Sequence, residues 1–148
     1  MVGQLGLISL SQLRTISADD YQYKLLIVRE PGRVECSKYG FIHTPHLSPS
    51  PVLFKDYQTR WKYNQFTLKE RELLNATPNG TWWDLYVPRF SLEMKDRSDM
   101  RRALARVESL LDQGANVLFI CFCKEETHCH RHLLGNYFEE KGYNVRHY

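Results

Sequence analysis

Val117-Leu118-Phe119-Ile120-Cys121-Phe122-Cys123-Lys124-Glu125-Glu126-Thr127-His128-Cys129-His130-Arg131-His132-Leu133-Leu134 is the stretch from which the rest of the chain is read. A short apolar run, a polar turn and then apolar residues at helical spacing predict a buried strand, a loop and a helix. Three of the four cysteines and three of the six histidines fall between Cys121 and His132. A helix beginning in this loop presents unpaired backbone N–H groups and the positive end of its dipole. The joint therefore reads as an anion-binding and nucleophilic site.

The flanking segments decide what kind of sheet the strand belongs to. Upstream, Ser98 caps a helix in which Met100, Ala103, Leu104, Val107, Leu110 and Leu111 keep a 3.6-residue period, and Gly114 stops it. Downstream, the last helix is expected from about Thr127 or Cys129 to Lys141, with Gly142 as its stop and a final strand over Tyr143 to Tyr148. Helix, strand, helix and strand on short connections imply parallel pairing with right-handed crossovers. Earlier strands are expected over Gln4 to Leu10, Lys24 to Glu30 and Tyr39 to Thr44. Ser50-Pro51 opens an amphipathic helix carrying Leu53, Phe54, Tyr57 and Trp61. Thr67-Leu-Lys-Glu70 has the form of a capping box that starts a short helix to Leu74. Thr81 to Phe90 is too aromatic for a solvated loop, and Pro88 argues against a central strand. The sum is an α/β fold: one compact Rossmann-like domain over residues 1–148, with a mainly parallel sheet flanked by helices.

The totals exclude several classes. A chain of 148 residues that is 43% hydrophobic and 25% charged folds without metal or disulfide staples. A net charge of +3 carries no run of basic residues, so nucleic-acid binding is permitted and not demanded. The cysteines crowd one loop, unlike a secreted disulfide framework, and neither an export signal nor a long apolar run is present. A cytoplasmic location is expected.

On the last helix Leu133, Leu134, Tyr137 and Phe138 share one face, and His130 falls inside the same arc. His130 is thus aimed at the end of the sheet, while His132 is expected to face solvent with Glu139. Cys129, in the first turn and beside Arg131, is expected to have a lowered thiol pKa and to act as the nucleophile, with His130 as its proton partner. Cys121 is a further catalytic candidate. Arg131 and the free N–H groups would clamp a phosphate or carboxylate. Arg29 at a strand end, Arg89 in the aromatic segment, His43 in a Pro-rich loop and Cys123 are added as substrate-binding candidates. For each of these the bland role, surface polarity or a small buried side chain, is at least as good a fit. Cys121-x-Cys123-x5-Cys129-His130 invites a zinc reading, but a C-x-C pair on a strand sets its thiols about 7 Å apart. No metal and no cofactor is expected.

The run Leu118-x-x-Cys121-Phe122-Cys123-Lys124 leading to Cys129-His130-Arg131-x-Leu133-Leu134, with a glycine and a short strand after it, resembles the signature of the DUF488 family of bacterial, archaeal and phage proteins. Arg29-Glu30-Pro31 and Tyr86-x-Pro88-Arg89-Phe90 resemble segments of one subgroup, so the likeness spans most of the chain. It implies a compact α/β fold with a pocket around the Cys-His-Arg turn, and it supplies no reaction. Many members have Glu where this chain has Cys123, which favours Cys121, Cys129, His130 and Arg131. The expectation is a small cysteine-dependent transferase or hydrolase acting on an anionic, nucleotide-like or nucleic-acid-derived substrate. The alternatives are a noncatalytic module binding a nucleotide or, through Trp82 and Trp83, a protein, and a Cys/His metal-binding protein.

Overall fold

The computed structural model describes residues 1–125 and 127–148, so Glu126 of the stretch quoted above lies outside the described residues. In chain order the elements are β1 (Gln4–Ser9), β2 (Tyr23–Leu26), α1 (Cys36–Tyr39), β3 (Phe41–His43), α2 (Pro51–Thr59), α3 (Leu68–Asn75), α4 (Trp82–Asp96), α5 (Ser98–Asp112), β4 (Val117–Cys121), α6 (His130–Glu140) and β5 (Asn144–His147). Short 3-10 turns fill several connections. The described residues form two compact units, Met1–Ser48 with Ser98–Tyr148, and Pro49–Arg97.

The first unit holds a five-stranded, wholly parallel sheet in the order β3-β2-β4-β1-β5. Strand β4 lies at its centre because all five of its residues are apolar or small and fit between two covered faces. All five are fully buried, and each large one contributes roughly 1.5–3 kcal/mol by leaving water. Helix α5 packs on β4 through Met100, Leu104, Val107, Leu110 and Leu111, the periodic face expected of it. Helix α6 packs against β1, β4 and β5. It approaches β1 closely because position 135 is glycine: a Cβ there would stand 2.5 Å from Leu7 Cδ1. After β2 the chain moves outward to β3, and after β4 it moves the opposite way to β5. The crevice between the carboxyl ends of β2 and β4 is therefore the switch point at which open α/β sheets place ligands.

The second unit is helical. Ser50 caps α2 by accepting a hydrogen bond from the Leu53 N–H at 3.2 Å, and Pro51 takes the first helical position. Thr67 and Glu70 exchange both capping-box bonds at the start of α3, at 3.2 and 2.9 Å. Helix α4 departs from the sequence reading, which assigned no helix to Thr81–Phe90. Asp84 turns back to accept the Thr81 N–H at 2.8 Å and closes the first turn. Pro88 follows inside the helix on an exposed position, where the ring removes one backbone bond without obstructing the packed face. Along that helix Trp83 stacks on Tyr86 and Tyr86 on Phe90, with centroids 5.2 and 5.8 Å apart, so the aromatic segment supplies this unit's packing.

Candidate functional site

Strand β4 ends at Cys121, and Cys129 is the N-cap of α6 with an extended backbone, φ −130° and ψ 146°. Between them Phe122 bends the chain out of the ladder, so Cys123 is no longer at strand spacing from Cys121. This corrects the expected 7 Å separation: the sulfurs of Cys121, Cys123 and Cys129 all lie within 4.8 Å of one another. Cys121 Sγ and Cys129 Sγ are 2.9 Å apart, inside the roughly 3.5 Å at which non-bonded heavy atoms ordinarily settle. Cys121 is 0% and Cys129 2% exposed, whereas Cys123 and Phe122 are exposed. Cys123 is the exposed residue of the trio.

Arg131 is 0% exposed, which a guanidinium tolerates only with a counter-charge beside it. Its Nη1 donates to Cys121 Sγ at 3.1 Å and to the Cys123 carbonyl at 2.6 Å. Nε and Nη2 are buried without a hydrogen-bond partner among the described residues. His130, 8% exposed, has Nε2 at 2.6 Å from the Ile27 carbonyl just beyond β2. A carbonyl only accepts, so Nε2 carries the proton and Nδ1 of the neutral ring is a lone pair. That lone pair lies 3.7 Å from Cys129 Sγ. Burial pushes the His130 pKa down, which keeps the ring neutral and able to accept a proton.

The electrostatics divide the thiols in a way the sequence did not indicate. Hydrogen bonds from Cys123 and Cys129, with the charge of Arg131, hold the Cys121 thiol well below the usual range against the cost of burial. Burial, then the hydrogen bonds to Cys121 and Cys123, push Cys129 up. Cys123 is also raised, first through its bond to Cys121. Arg131 stays firmly charged: burial opposes its charge, and the three neighbouring thiols together, led by Cys121, outweigh burial. The lowered thiol expected at Cys129 is therefore found at Cys121. The reason is reach: Arg131 sends its guanidinium back to the strand end, where Nη1 donates to Cys121.

The remaining candidates scatter. His43 follows the same pattern as His130 on the other side of β2, with Nε2 2.8 Å from the Val28 carbonyl. Arg29 is half-buried just past β2. Arg89 belongs to the helical unit, where it pairs with Asp56 at 2.5 Å and covers the Trp61 ring. His132 is half-buried near His147, ring centroids 6.1 Å apart, instead of facing solvent as expected. Trp82 and Trp83 are half-buried, Trp82 against Tyr57 and Trp83 against Tyr86. Sequence reasoning missed the Ile27 carbonyl, which fixes the His130 tautomer. Only its position at the end of an apolar strand signalled it, since any residue would supply the same oxygen.

Three thiols are donors a soft metal ion would accept. Two thiolates on a tetrahedral zinc with bonds of about 2.3 Å stand about 3.8 Å apart, wider than the Cys121–Cys129 pair. The adjacent guanidinium already balances the thiolate charge. The arrangement fits a charge-balanced dithiol more closely than a tetrahedral metal cage.

No helix among the described residues is long and apolar enough to cross a membrane. No curated protein and no solved structure matches the chain. A family model described as the active DUF488-N3 subclade matches residues 8–142, which takes in every element that builds the site. On that match, and with the Cys-His-Arg turn at the end of β4, the chain belongs to the DUF488 family.

Proposed function

We infer that the chain is a small cysteine-dependent enzyme whose reactive group is the Cys121 thiolate. The observation that carries this reading is the 3.1 Å contact from Arg131 Nη1 to Cys121 Sγ inside a fully buried pair. A thiolate is the form that attacks, and a fixed cation beside it maintains that form at neutral pH. Cys129 is the partner thiol, and His130 Nδ1 is the proton acceptor next to it. Nε and Nη2 of Arg131, without a hydrogen-bond partner among the described residues, are donors for negative charge, whether on a substrate or developing in a transition state. They support the anionic, nucleotide-like or nucleic-acid-derived substrate expected from the sequence. The description of the subclade as active favours a catalytic over a purely binding role. A reducing, cytoplasmic setting suits four free thiols.

The test is a thiolate titration followed by ultraviolet absorbance, which requires no reagent to reach the buried sulfur. Wild type is expected to carry one thiolate at pH 6, and Cys121→Ser to lose it while Cys129→Ser retains it. A wild type with no thiolate until the pH range of an ordinary cysteine would refute the activated nucleophile.

A further inference from the structure

A buried pair of sulfurs supports chemistry that one nucleophilic cysteine does not. Resting on Cys121 as the reactive thiolate, we propose that Cys121 and Cys129 reduce a small hydroperoxide by closing a disulfide, and that Cys123 is the exposed thiol through which the dithiol is restored. Three observations support it. The two sulfurs already stand 2.9 Å apart, so little rearrangement separates dithiol from disulfide. Both are buried to 2% exposure or less, so a disulfide between them is sheltered from bulk thiols and calls for a relay to reduce it. The third thiol lies within 4.8 Å of both and is the exposed one.

The steps balance as follows. The Cys121 thiolate attacks the terminal oxygen of the hydroperoxide; a sulfur–oxygen bond forms, the oxygen–oxygen bond breaks, and an alkoxide or hydroxide leaves. The N–H groups of Arg131 stabilise the leaving charge until it takes a proton from solvent. Cys129 then passes its proton to His130 Nδ1, 3.7 Å away, and attacks the sulfur of the Cys121 sulfenic acid. A sulfur–sulfur bond forms, the sulfur–oxygen bond breaks, and the hydroxide recovers the proton from the imidazolium as water. Each sulfur has lost one electron and the peroxide has gained two. For the return, Cys123 gives its proton to solvent and attacks Cys129; the Cys123–Cys129 bond forms, the Cys121–Cys129 bond breaks, and Cys121 leaves as the thiolate that Arg131 stabilises. Two molecules of a small external thiol then release Cys123 and Cys129 and depart as one disulfide.

The experiment is peroxide treatment of the reduced protein, followed by intact mass and a peptide map. Wild type is expected to lose two hydrogen atoms, to fall from four titratable thiols to two, and to yield a Cys121–Cys129 crosslinked peptide. Cys129→Ser should stop at a sulfenic acid on Cys121, read in the intact mass and the peptide map as the gain of a single oxygen atom. Cys123→Ser should form the disulfide and be reduced by a small thiol about tenfold more slowly than wild type. A crosslink through Cys36, an unchanged mass, or Cys121 oxidising no faster than free cysteine overturns the peroxide chemistry, and normal re-reduction of Cys123→Ser overturns the relay. If the thiolate titration succeeds and no disulfide forms, this inference fails alone; if the titration fails, both fail together.

Discussion

Arg131 in the sheet unit and Arg60 in the helical unit are both held by anions, and the anions differ in kind. Arg60 meets Asp56 at 3.2 Å and Glu70 at 2.7 Å, and Arg89 joins the same Asp56. The Glu70 carboxylate, held low by Arg60, is ionised at any pH near neutrality. Arg131 faces sulfur, and a thiol ionises at neutral pH only because the cation is there. A carboxylate clamp is a fixed structural feature. A thiolate can discharge by taking up a proton and can be oxidised, so the balance at the end of β4 depends on the chemical state of Cys121.

The largest expected effect tests that asymmetry within the sheet unit. Cys121→Ala strands a buried guanidinium without its anion and should destabilise the protein by about 3–5 kcal/mol. Arg131→Met lets Cys121 revert to a neutral thiol, so it should cost only about 1–2 kcal/mol for lost hydrogen bonds. The double variant should resemble Arg131→Met and not the sum of the two. Urea denaturation of the three proteins measures all of this. Equal single costs with an additive double variant would mean that the pair is not charge-coupled and that the contrast with Arg60 is empty.

The next effect is a pH slope. Cys121 has its pKa depressed by folding, so its stabilisation is complete above the unfolded thiol value and fades as pH falls below it. Below about 8.5 the unfolded chain therefore binds one proton more than the folded one, and stability should rise with pH by up to about 1.4 kcal/mol per unit. Cys129, raised by burial, contributes in the opposite sense, and only above that value. His130, lowered by burial, acts below about pH 6.5. The interval from about 6.5 to 8.5 thus isolates Cys121, and Arg131→Met should flatten the slope there. A slope unchanged by the substitution would sever the thiolate from the arginine.

What the sequence made legible follows the range of the interactions involved. Strand β4, helix α5 and the Thr67–Glu70 cap were readable because each depends on neighbours within a few residues. Helix α4 was not, since large aromatics and an interior proline obscure its period, and the Thr81-x-x-Asp84 cap that starts it went unread. At the site, the crowding of thiols and imidazoles in one loop was evident, and so was the inward aim of His130. The division of labour between Cys121 and Cys129 was hidden because it depends on the bend at Phe122 and on a long side chain folding back ten residues. The pairing of Arg89 with Asp56, 33 residues apart, was hidden for the same reason.

The smallest expected effect probes the fixed clamp. Glu70 accepts from Arg60 at 2.7 and 3.2 Å, from Trp61 Nε1 at 3.2 Å and from the Thr67 N–H at 2.9 Å, and these bonds, led by Arg60, lower its pKa to about 2. Its depressed value gives stability that is complete above the unfolded carboxyl pKa of about 4.3 and declines as pH falls toward 2. Glu70→Gln keeps the size and one acceptor oxygen and removes the charge, so it should cost about 1 kcal/mol at pH 7. The gap to wild type should narrow between pH 4 and pH 2, where wild type itself loses the charge. Thermal melts at pH 7 and pH 3 measure it. Across the interval from about 6.5 to 8.5 the same variant should leave the slope due to Cys121 untouched, because a carboxylate clamp is already fully charged there. If Glu70→Gln altered that slope, Glu70 and Cys121 would titrate as one system, and the distinction between a permanent and a conditional counter-ion would be lost.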